Sequence, residues 1–565
     1  MKLSSLVALV GVSALSEASP RPKPNFVFVF TDDQDLTMNS VEYMPHVAGR
    51  IRDRGLDFTN HFVTTALCCP SRVSLWTGRQ AHNTNVTWVA PPYGGYPKFV
   101  SQGFNEDWFP LWLQDAGYNT YYVGKLFNAH SVTTYNNPFV KGFNGSDFLL
   151  DPFTYSYWNS SYQRNHEAPK SYAGQYTTDV TEEKALGFVD DALEDKERPF
   201  FLTVAPIAPH FEQDPGHSSD TPPQAPIPAP RHAHLFPDAK VPRVPSFNPL
   251  NQTGPSWIRD LKHQNQSVVD YEDFFYRQRL RALQSVDEMV DKLLDRLERS
   301  GQLNNTYVIY SSDNGFHIGH HRLPPGKSTS YEEDIRVPFF IRGPGIKSGG
   351  KVTQVTTHID FAPTIFELLG LPPRSDFDGT PMRIMKDSAA IPHEHVIVEY
   401  WGQALMMVTA PTNTDRMPNT TYKSVRLLSE KYNLFYAVWC TGDHELFDLN
   451  TDPYQMHNIY NTASRSFKNR LDALLLVLKS CAGSTCIKPW AELHPDGSVQ
   501  SLSDALDSQY DGFYAQLPKV EYEACVDGYL IAAEGLQWED VSASALRNYV
   551  RRNYAFDDVQ KYRKL

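Results

Sequence analysis

The feature that most limits what this chain can fold into is the run Asn25-Phe26-Val27-Phe28-Val29-Phe30, apolar and β-prone after its first residue, which stops abruptly at Thr31-Asp32-Asp33-Gln34-Asp35. A half-exposed strand alternates apolar and polar residues; an unbroken apolar strand must be covered on both faces. The design recurs at Phe200-Phe201-Leu202-Thr203-Val204, running into Pro206-Ile207-Ala208-Pro209-His210, and at Tyr307-Val308-Ile309-Tyr310, running into Ser311-Ser312-Asp313-Asn314-Gly315. Between these runs Leu280, Leu283, Val286, Met289, Val290, Leu293, Leu294 and Leu297 step mostly by three and four and end at Gly301, a helix with its C-terminal cap. A second helix starts near Asp360-Phe361-Ala362-Pro363-Thr364 and is closed by Gly370 and Pro372. Buried strands alternating with helices argue for an α/β fold with a doubly wound, mostly parallel sheet. Such a sheet binds ligands at the carboxyl ends of its strands, so the three polar termini can converge on one crevice.

Residues from about 211 to 256 are rich in proline and polar residues without periodicity and read as a long surface excursion. Beyond about residue 390 the texture changes. Tyr422 to Leu428, Asn433 to Cys440 and Glu445 to Leu449 read as short strands, and Leu471 to Leu478 as a largely apolar helix. The expected division is a signal peptide over residues 1–18, a main domain over 19–390 and a smaller C-terminal α+β domain over 391–565, built on an antiparallel sheet.

With 52 basic and 65 acidic side chains the net charge is −13, which argues against nucleic acid as a partner. Lys2, the apolar run Leu6 to Leu15 and the small residues Ser16 and Ala18 form a secretory leader, with cleavage expected near Ser19. No other segment has the roughly 18 apolar residues needed to span a bilayer, so no stable membrane insertion is expected. In a secretory route Asn85, Asn144, Asn159, Asn251, Asn265, Asn304 and Asn419 are N-glycosylation acceptors. Of the 6 cysteines, Cys440, Cys481, Cys486 and Cys525 lie late and can close two disulfides there, in any of three pairings. Cys68 and Cys69 stand apart.

Asp32 and Asp33 at one strand end, with Asp313 and Asn314 at another, supply hard oxygen ligands suited to Ca²⁺ or Mg²⁺, without the thiolate or imidazole cluster that suits zinc. Adjacent acids repel, and a divalent cation relieves that repulsion. Cys68 precedes Val73 to Gly78, the expected first turns of a helix, whose free N–H groups favour an anion beside it. The surrounding stretch Cys68-Cys69-Pro70-Ser71-Arg72, followed by Gly78-Arg79, resembles the signature of the type I sulfatases. Gly124-Lys125-Leu126-Phe127-Asn128, Ala208-Pro209-His210 and Gly326-Lys327 resemble further motifs of that family, in the family's order. The resemblance spans about residues 25 to 460 and is closest to the N-acetylglucosamine-6-sulfatase and fungal or plant-like arylsulfatase branch.

That resemblance implies the alkaline-phosphatase-like fold and oxidation of Cys68 to formylglycine by a separate formylglycine-generating enzyme. It further implies one Ca²⁺ held by Asp32, Asp33, modified Cys68, Asp313 and Asn314, and a small-molecule sulfate ester as substrate. The aldehyde hydrate at residue 68 attacks sulfur, Arg72, Lys125 and Lys327 stabilise the sulfuryl oxygens, and His210 or Lys327 protonates the departing alcohol. One position departs: where many arylsulfatases carry a histidine that assists sulfate release, this chain has Phe127. Asn128, His130, His317, His320 and His321 are the candidates to replace it. The expected activity is that of an arylsulfatase. Its rivals are a glycan 6-O-sulfatase, a phosphate or phosphonate ester hydrolase, and a silent binding protein on the same fold.

Overall fold

A computed structural model of the protein describes residues 23–213, 224–385, 388, 393–405 and 416–541; the leader expected over residues 1–18 lies outside them. Its frame is a 10-stranded sheet. Four central strands position the polar termini: β1 (Asn25–Thr31), β2 (Asn119–Lys125), β3 (Phe200–Ala205) and β4 (Thr306–Ser312). They lie side by side in the order β4, β1, β3, β2, all parallel. Towards the margins the sheet turns antiparallel, where Phe339–Arg342 pairs with β4 and Ser161–Arg164 pairs with Gly145–Leu149.

Every residue of β1 is buried, as its unbroken apolar run requires. Phe26, Phe28 and Phe30 enter one layer with Trp76 and Phe361, and Val27 and Val29 enter the other with Leu283, Val286 and Val290. Trp76 belongs to α1 (Cys68–Thr77) and the last three residues to α2 (Gln266–Arg299), so the two helices cover opposite faces. Helix α2 begins well before the apolar period that announced it, because its first turns bury Glu272, Asp273 and Arg279 among the apolar residues and so hide the pattern. Asn265, read above as a glycosylation acceptor, caps this helix by accepting from the Val268 N–H at 3.1 Å. The excursion after residue 223 is not simply surface. The Ser246 carbonyl accepts from the His321 N–H at 2.6 Å, and the Asn248 N–H donates to the Gly319 carbonyl at 2.8 Å, so the segment packs on the loop that follows β4.

The second sheet has 4 antiparallel strands, His395–Tyr400, Tyr422–Leu428, Asn433–Trp439 and His444–Asp448, covered by the helix Arg465–Leu478 through Leu471, Leu474 and Leu475. Among the three pairings open to the late cysteines, the structure forms Cys440–Cys525 and Cys481–Cys486, leaving Cys68 and Cys69 free and buried. The four-stranded sheet is tied through charge to the short helix Ala81–Thr84 that follows α1. Fully buried Glu399 accepts from the His82 N–H at 2.9 Å and its ring Nδ1 at 2.8 Å, and from Lys423 Nζ at 2.6 Å.

Burial works against the Glu399 carboxylate, but His82 and Lys423 outweigh it and bring its pKa down to about 2; burial likewise works against charged His82, which Glu399 raises above the ordinary 6.5. The depressed carboxyl stabilises the fold above its ordinary 4.5, losing that contribution as pH falls towards 2; the raised imidazole stabilises below 6.5, losing its share as pH climbs past its folded value. Glu399→Gln, which takes the shared carboxylate from His82 and leaves Lys423 only Glu534 at 3.5 Å and the Lys479 carbonyl at 3.2 Å, is therefore expected to cost about 3 kcal/mol. Denaturant unfolding checks this: the deficit should be largest between pH 4.5 and 6.5 and shrink in acid. A flat deficit across pH contradicts it.

Candidate active site

The four parallel strands deliver their polar termini to one place. Beyond β1 come Asp32 and Asp33, beyond β4 Asp313 and Asn314, β2 ends on Lys125, and the loop after β3 carries His210. Helix α1 starts at Cys68 itself, earlier than expected, with Leu67 as its extended N-cap residue, so residue 68 occupies the first helical position. All these side chains, with Arg72 and Lys327, are at most 2% exposed. Asp33 adopts φ 64°, in the left-handed region that costs an L-residue energy, and the surrounding contacts hold it there.

The charges interlock. Lys125 Nζ lies 2.5 Å from Asp32 Oδ2, Arg72 Nε donates to Asp313 Oδ2 at 2.8 Å, and Lys327 Nζ donates to Asp33 Oδ1 and, at 2.7 Å, to Cys68 Sγ. Cys68 Sγ is 3.6 Å from Asp32 Oδ1, the Asp33 N–H donates to Asp313 Oδ1 at 3.0 Å, and Asn314 Nδ2 donates to Asp33 Oδ1 at 2.8 Å. The structure thus brings together the nine residues given metal-binding or catalytic roles, Asp32, Asp33, Cys68, Arg72, Lys125, His210, Asp313, Asn314 and Lys327. Burial alone would raise the Asp32 and Asp33 carboxyls; Lys125 for the first, Lys327 for the second and His210 for both hold them below the ordinary range. Burial alone would discharge the two lysines, but Asp32 keeps Lys125, and Asp33 keeps Lys327, above the ordinary 10.5. Burial pushes the Cys68 thiol up to about 12 despite the two lysines, so a plain thiol here is not a thiolate nucleophile at neutral pH.

The donor set fits a hard divalent cation. Buried Asp33 Oδ2 and Asn314 Oδ1 have no hydrogen-bond partner, and Asp32, Asp33, Cys68 and His210 can bring ligand atoms within 4.8 Å of one another. Arg72 Nη2 likewise lacks a hydrogen-bond partner and faces Asp32 Oδ2 at 3.8 Å, leaving a donor for an anion's oxygen. The three carboxylates balance the three cations, so a dication would add the positive charge that a sulfate group offsets.

His210 donates from Nδ1 to the Phe211 carbonyl at 3.0 Å, which leaves Nε2 towards Asp33 Oδ2 at 3.6 Å. Burial takes its pKa down to about 4 against the pull of Asp33 and Asp32. None of the candidates for the sulfate-release role is a hydrogen-bond partner of residue 68 among the described residues. His130 is packed against Tyr96 and Phe148, Asn128 donates to Tyr155, and His317 is held by Asp334 at 2.8 Å. His321 stacks on Tyr331, and His320 Nδ1 accepts from the Ile318 N–H.

Two residues that sequence reading missed belong to the site. Arg279 of α2 donates to the Asp33 carbonyl at 2.5 Å and the Pro209 carbonyl at 3.2 Å, and its guanidinium covers Phe316 at 4.0 Å. It therefore ties together the loops after β1, β3 and β4. A visible signal existed: one arginine in the apolar phase of an amphipathic helix. Tyr155, which packs on His210, lies in a loop with no such signal.

A buried cradle of carboxylates and cations at the carboxyl ends of a doubly wound sheet, with residue 68 at a helix start, defines a hydrolase site for a tetrahedral oxyanion ester. The sulfatase family profile matches residues 24–371, and the C-terminal profile of N-sulphoglucosamine sulphohydrolase matches residues 319–479. An arylsulfatase of Volvox carteri is 41% identical over 93% of this chain and 85% of its own length, and an N-acetylglucosamine-6-sulfatase of Capra hircus is 33% identical over 85% and 87%. A solved complex of a protein with its substrate D-glucosamine-2-N,6-O-disulfate shares the fold, with a TM-score of 0.61 and 23% identity over 80% of this chain and 97% of that one. The chain belongs to the sulfatase family, and it is a sulfuric ester hydrolase.

Proposed function

We propose that this sulfatase cleaves aryl sulfates, with residue 68 as the position of the nucleophile and Asp32, Asp33, Asp313 and Asn314 holding one Ca²⁺. The observation that carries the reading is the seating of Cys68 Sγ between Lys327 Nζ and Asp32 Oδ1, beside oxygens that lack partners. A formylglycine made at Cys68 by a separate modifying enzyme would supply a hydrated carbonyl as nucleophile, and calcium would supply charge stabilisation for the ester oxygens.

The chain's own residues do the rest. Arg72, Lys125 and Lys327 bind the sulfuryl oxygens, and their burial among carboxylates keeps them charged and aimed before substrate arrives. His210, with Nδ1–H committed to the Phe211 carbonyl, presents Nε2 to the alcohol side. Nε2 is then the atom left to exchange a proton with the alcohol, so His210, when Nε2 carries a proton, or Lys327 protonates the departing alkoxide. The aryl preference rests on the 41% identity to the Volvox arylsulfatase. Passage through the secretory route is supported by the leader motif, two disulfides and exposed acceptors at Asn144, Asn251, Asn265, Asn304 and Asn419.

The test has two arms. A tryptic peptide spanning residue 68 is expected about 18 Da below its unmodified mass, a change opposite in sign to ordinary thiol oxidation. Hydrolysis of a chromogenic aryl sulfate should stop on treatment with a calcium chelator and return on adding calcium. Chelator-indifferent turnover removes the metal from the reading. Turnover confined to N-acetylglucosamine 6-sulfate replaces the aryl ester by a sugar, the activity carried by the goat relative's name.

A further inference from the structure

Tyr155 comes from the loop after the strand Gly145–Leu149 and from none of the motifs that announced the site. Its ring lies on the imidazole of His210, with centroids 4.0 Å apart and planes 17° from parallel. Lys125 Nζ sits 4.7 Å from the centre of the same ring. The phenolic oxygen accepts from Asn128 Nδ2 at 2.6 Å, and Asn128 lies three residues past Lys125, in the loop that follows β2. Burial, joined by Cys68 and Asp32, keeps the phenol neutral, so what Lys125 meets is the ring's electron-rich face rather than a phenolate.

One aromatic ring therefore touches two polar groups of the site that arrive on different strands, β2 for Lys125 and the loop after β3 for His210. Both need such support. A lysine ammonium sits on a flexible four-carbon stem, and here Asp32 at 2.5 Å and Asp313 at 4.0 Å pull it towards the carboxylates. The His210 ring is held along one edge by the Phe211 carbonyl, and Tyr155 covers a face. Tyr155 is itself only half-buried, whereas Lys125 and His210 are enclosed.

We propose that Tyr155 is a positioning residue for sulfate-ester cleavage, its ring holding the Lys125 ammonium and the His210 imidazole in fixed relation so that sulfuryl oxygens and departing alcohol are met together. This rests on the roles given to Lys125 and His210 under the proposed function. Because the ring and not the hydroxyl makes both contacts, Tyr155→Phe and Tyr155→Leu should part company.

The experiment uses the mature, modified protein with calcium and a series of substituted phenyl sulfates whose phenols differ in acidity. Tyr155→Phe is expected within about threefold of wild type in kcat/KM, and Tyr155→Leu about 10- to 100-fold below it, mostly in kcat, as misplacement of reacting groups by about 1 Å produces. Tyr155→Leu should also depend more steeply on phenol acidity, while its thermal midpoint stays near wild type. A merely structural role would lower all esters alike. The inference is overturned if Tyr155→Leu stays within twofold, if Tyr155→Phe falls as far as Tyr155→Leu, or if the loss leaves the dependence on the leaving group unchanged. Should Tyr155→Leu not accumulate as folded protein, Tyr155→Met, which also lacks a ring, carries the same expectations. If wild-type protein turns over only sulfated sugars, the aryl reading fails separately, and the split between the Phe and Leu variants is then read on N-acetylglucosamine 6-sulfate.

Discussion

Cys68→Ala is expected to abolish turnover, by a factor on the order of 10⁴ or more, while the protein still folds. The size follows from the site: among the described residues the side chains hydrogen-bonded to Cys68 Sγ are Lys327 and Asp32, a cation and a carboxylate that is already paired with Lys125 and placed to hold charge. The fold survives because the change removes one sulfur atom at the first position of α1, whose remaining residues are buried independently of it. Cys68→Ser is the sharper variant. A serine hydroxyl can sit near Lys327 as the sulfur does, yet it lacks the second hydroxyl of an aldehyde hydrate and has no easy route to free sulfate. Steady-state release of a chromogenic phenol, with thermal unfolding as the control for folding, checks both. Wild-type rates from either variant would show that residue 68 is not the nucleophile.

Lys327→Ala is expected to lower kcat/KM by roughly 10²- to 10³-fold, the range seen when one preorganised donor to a developing charge is removed. It differs from Cys68→Ala in also touching stability. Lys327 is the cation paired with Asp33, and without it that buried carboxylate retains Asn314 Nδ2 and the more distant His210. A buried charge that loses its partner destabilises the fold. Added calcium should then raise the thermal midpoint of the variant more than that of wild type, without restoring turnover. This pair of readouts separates the two roles of Lys327. Turnover within threefold of wild type would show that Arg72 and Lys125 suffice for the sulfuryl oxygens. Calcium that raises neither midpoint would remove Asp33 from the metal site.

The same contrast between local and distant contacts divides what could be read from the chain. The central strands were legible at Phe26 to Phe30 because burial on both faces demands an unbroken apolar run, and the site acids were legible because such runs end where the backbone leaves the sheet. The start of α2 was not, since Glu272, Asp273 and Arg279 are buried by partners elsewhere in the chain and look like surface residues from the sequence. The segment after residue 223 read as surface for the opposite reason: its contacts with Gly319 and His321 are made largely by backbone groups, which carry no residue signature.

What the amino-acid order determined by itself is the set of parts: buried parallel strands, hard oxygens at two of their ends, a cysteine ahead of a helix, and a family motif around it. Tertiary structure alone decided which parts meet. It paired Cys440 with Cys525 and Cys481 with Cys486, laid Tyr155 across Lys125 and His210, and sent Arg279 to the carbonyls of Asp33 and Pro209. The physical reason is range. Hydrophobic periodicity and strand ends are properties of a few consecutive residues, whereas a stacked ring or a disulfide joins positions brought together only when the whole sheet has closed around its core.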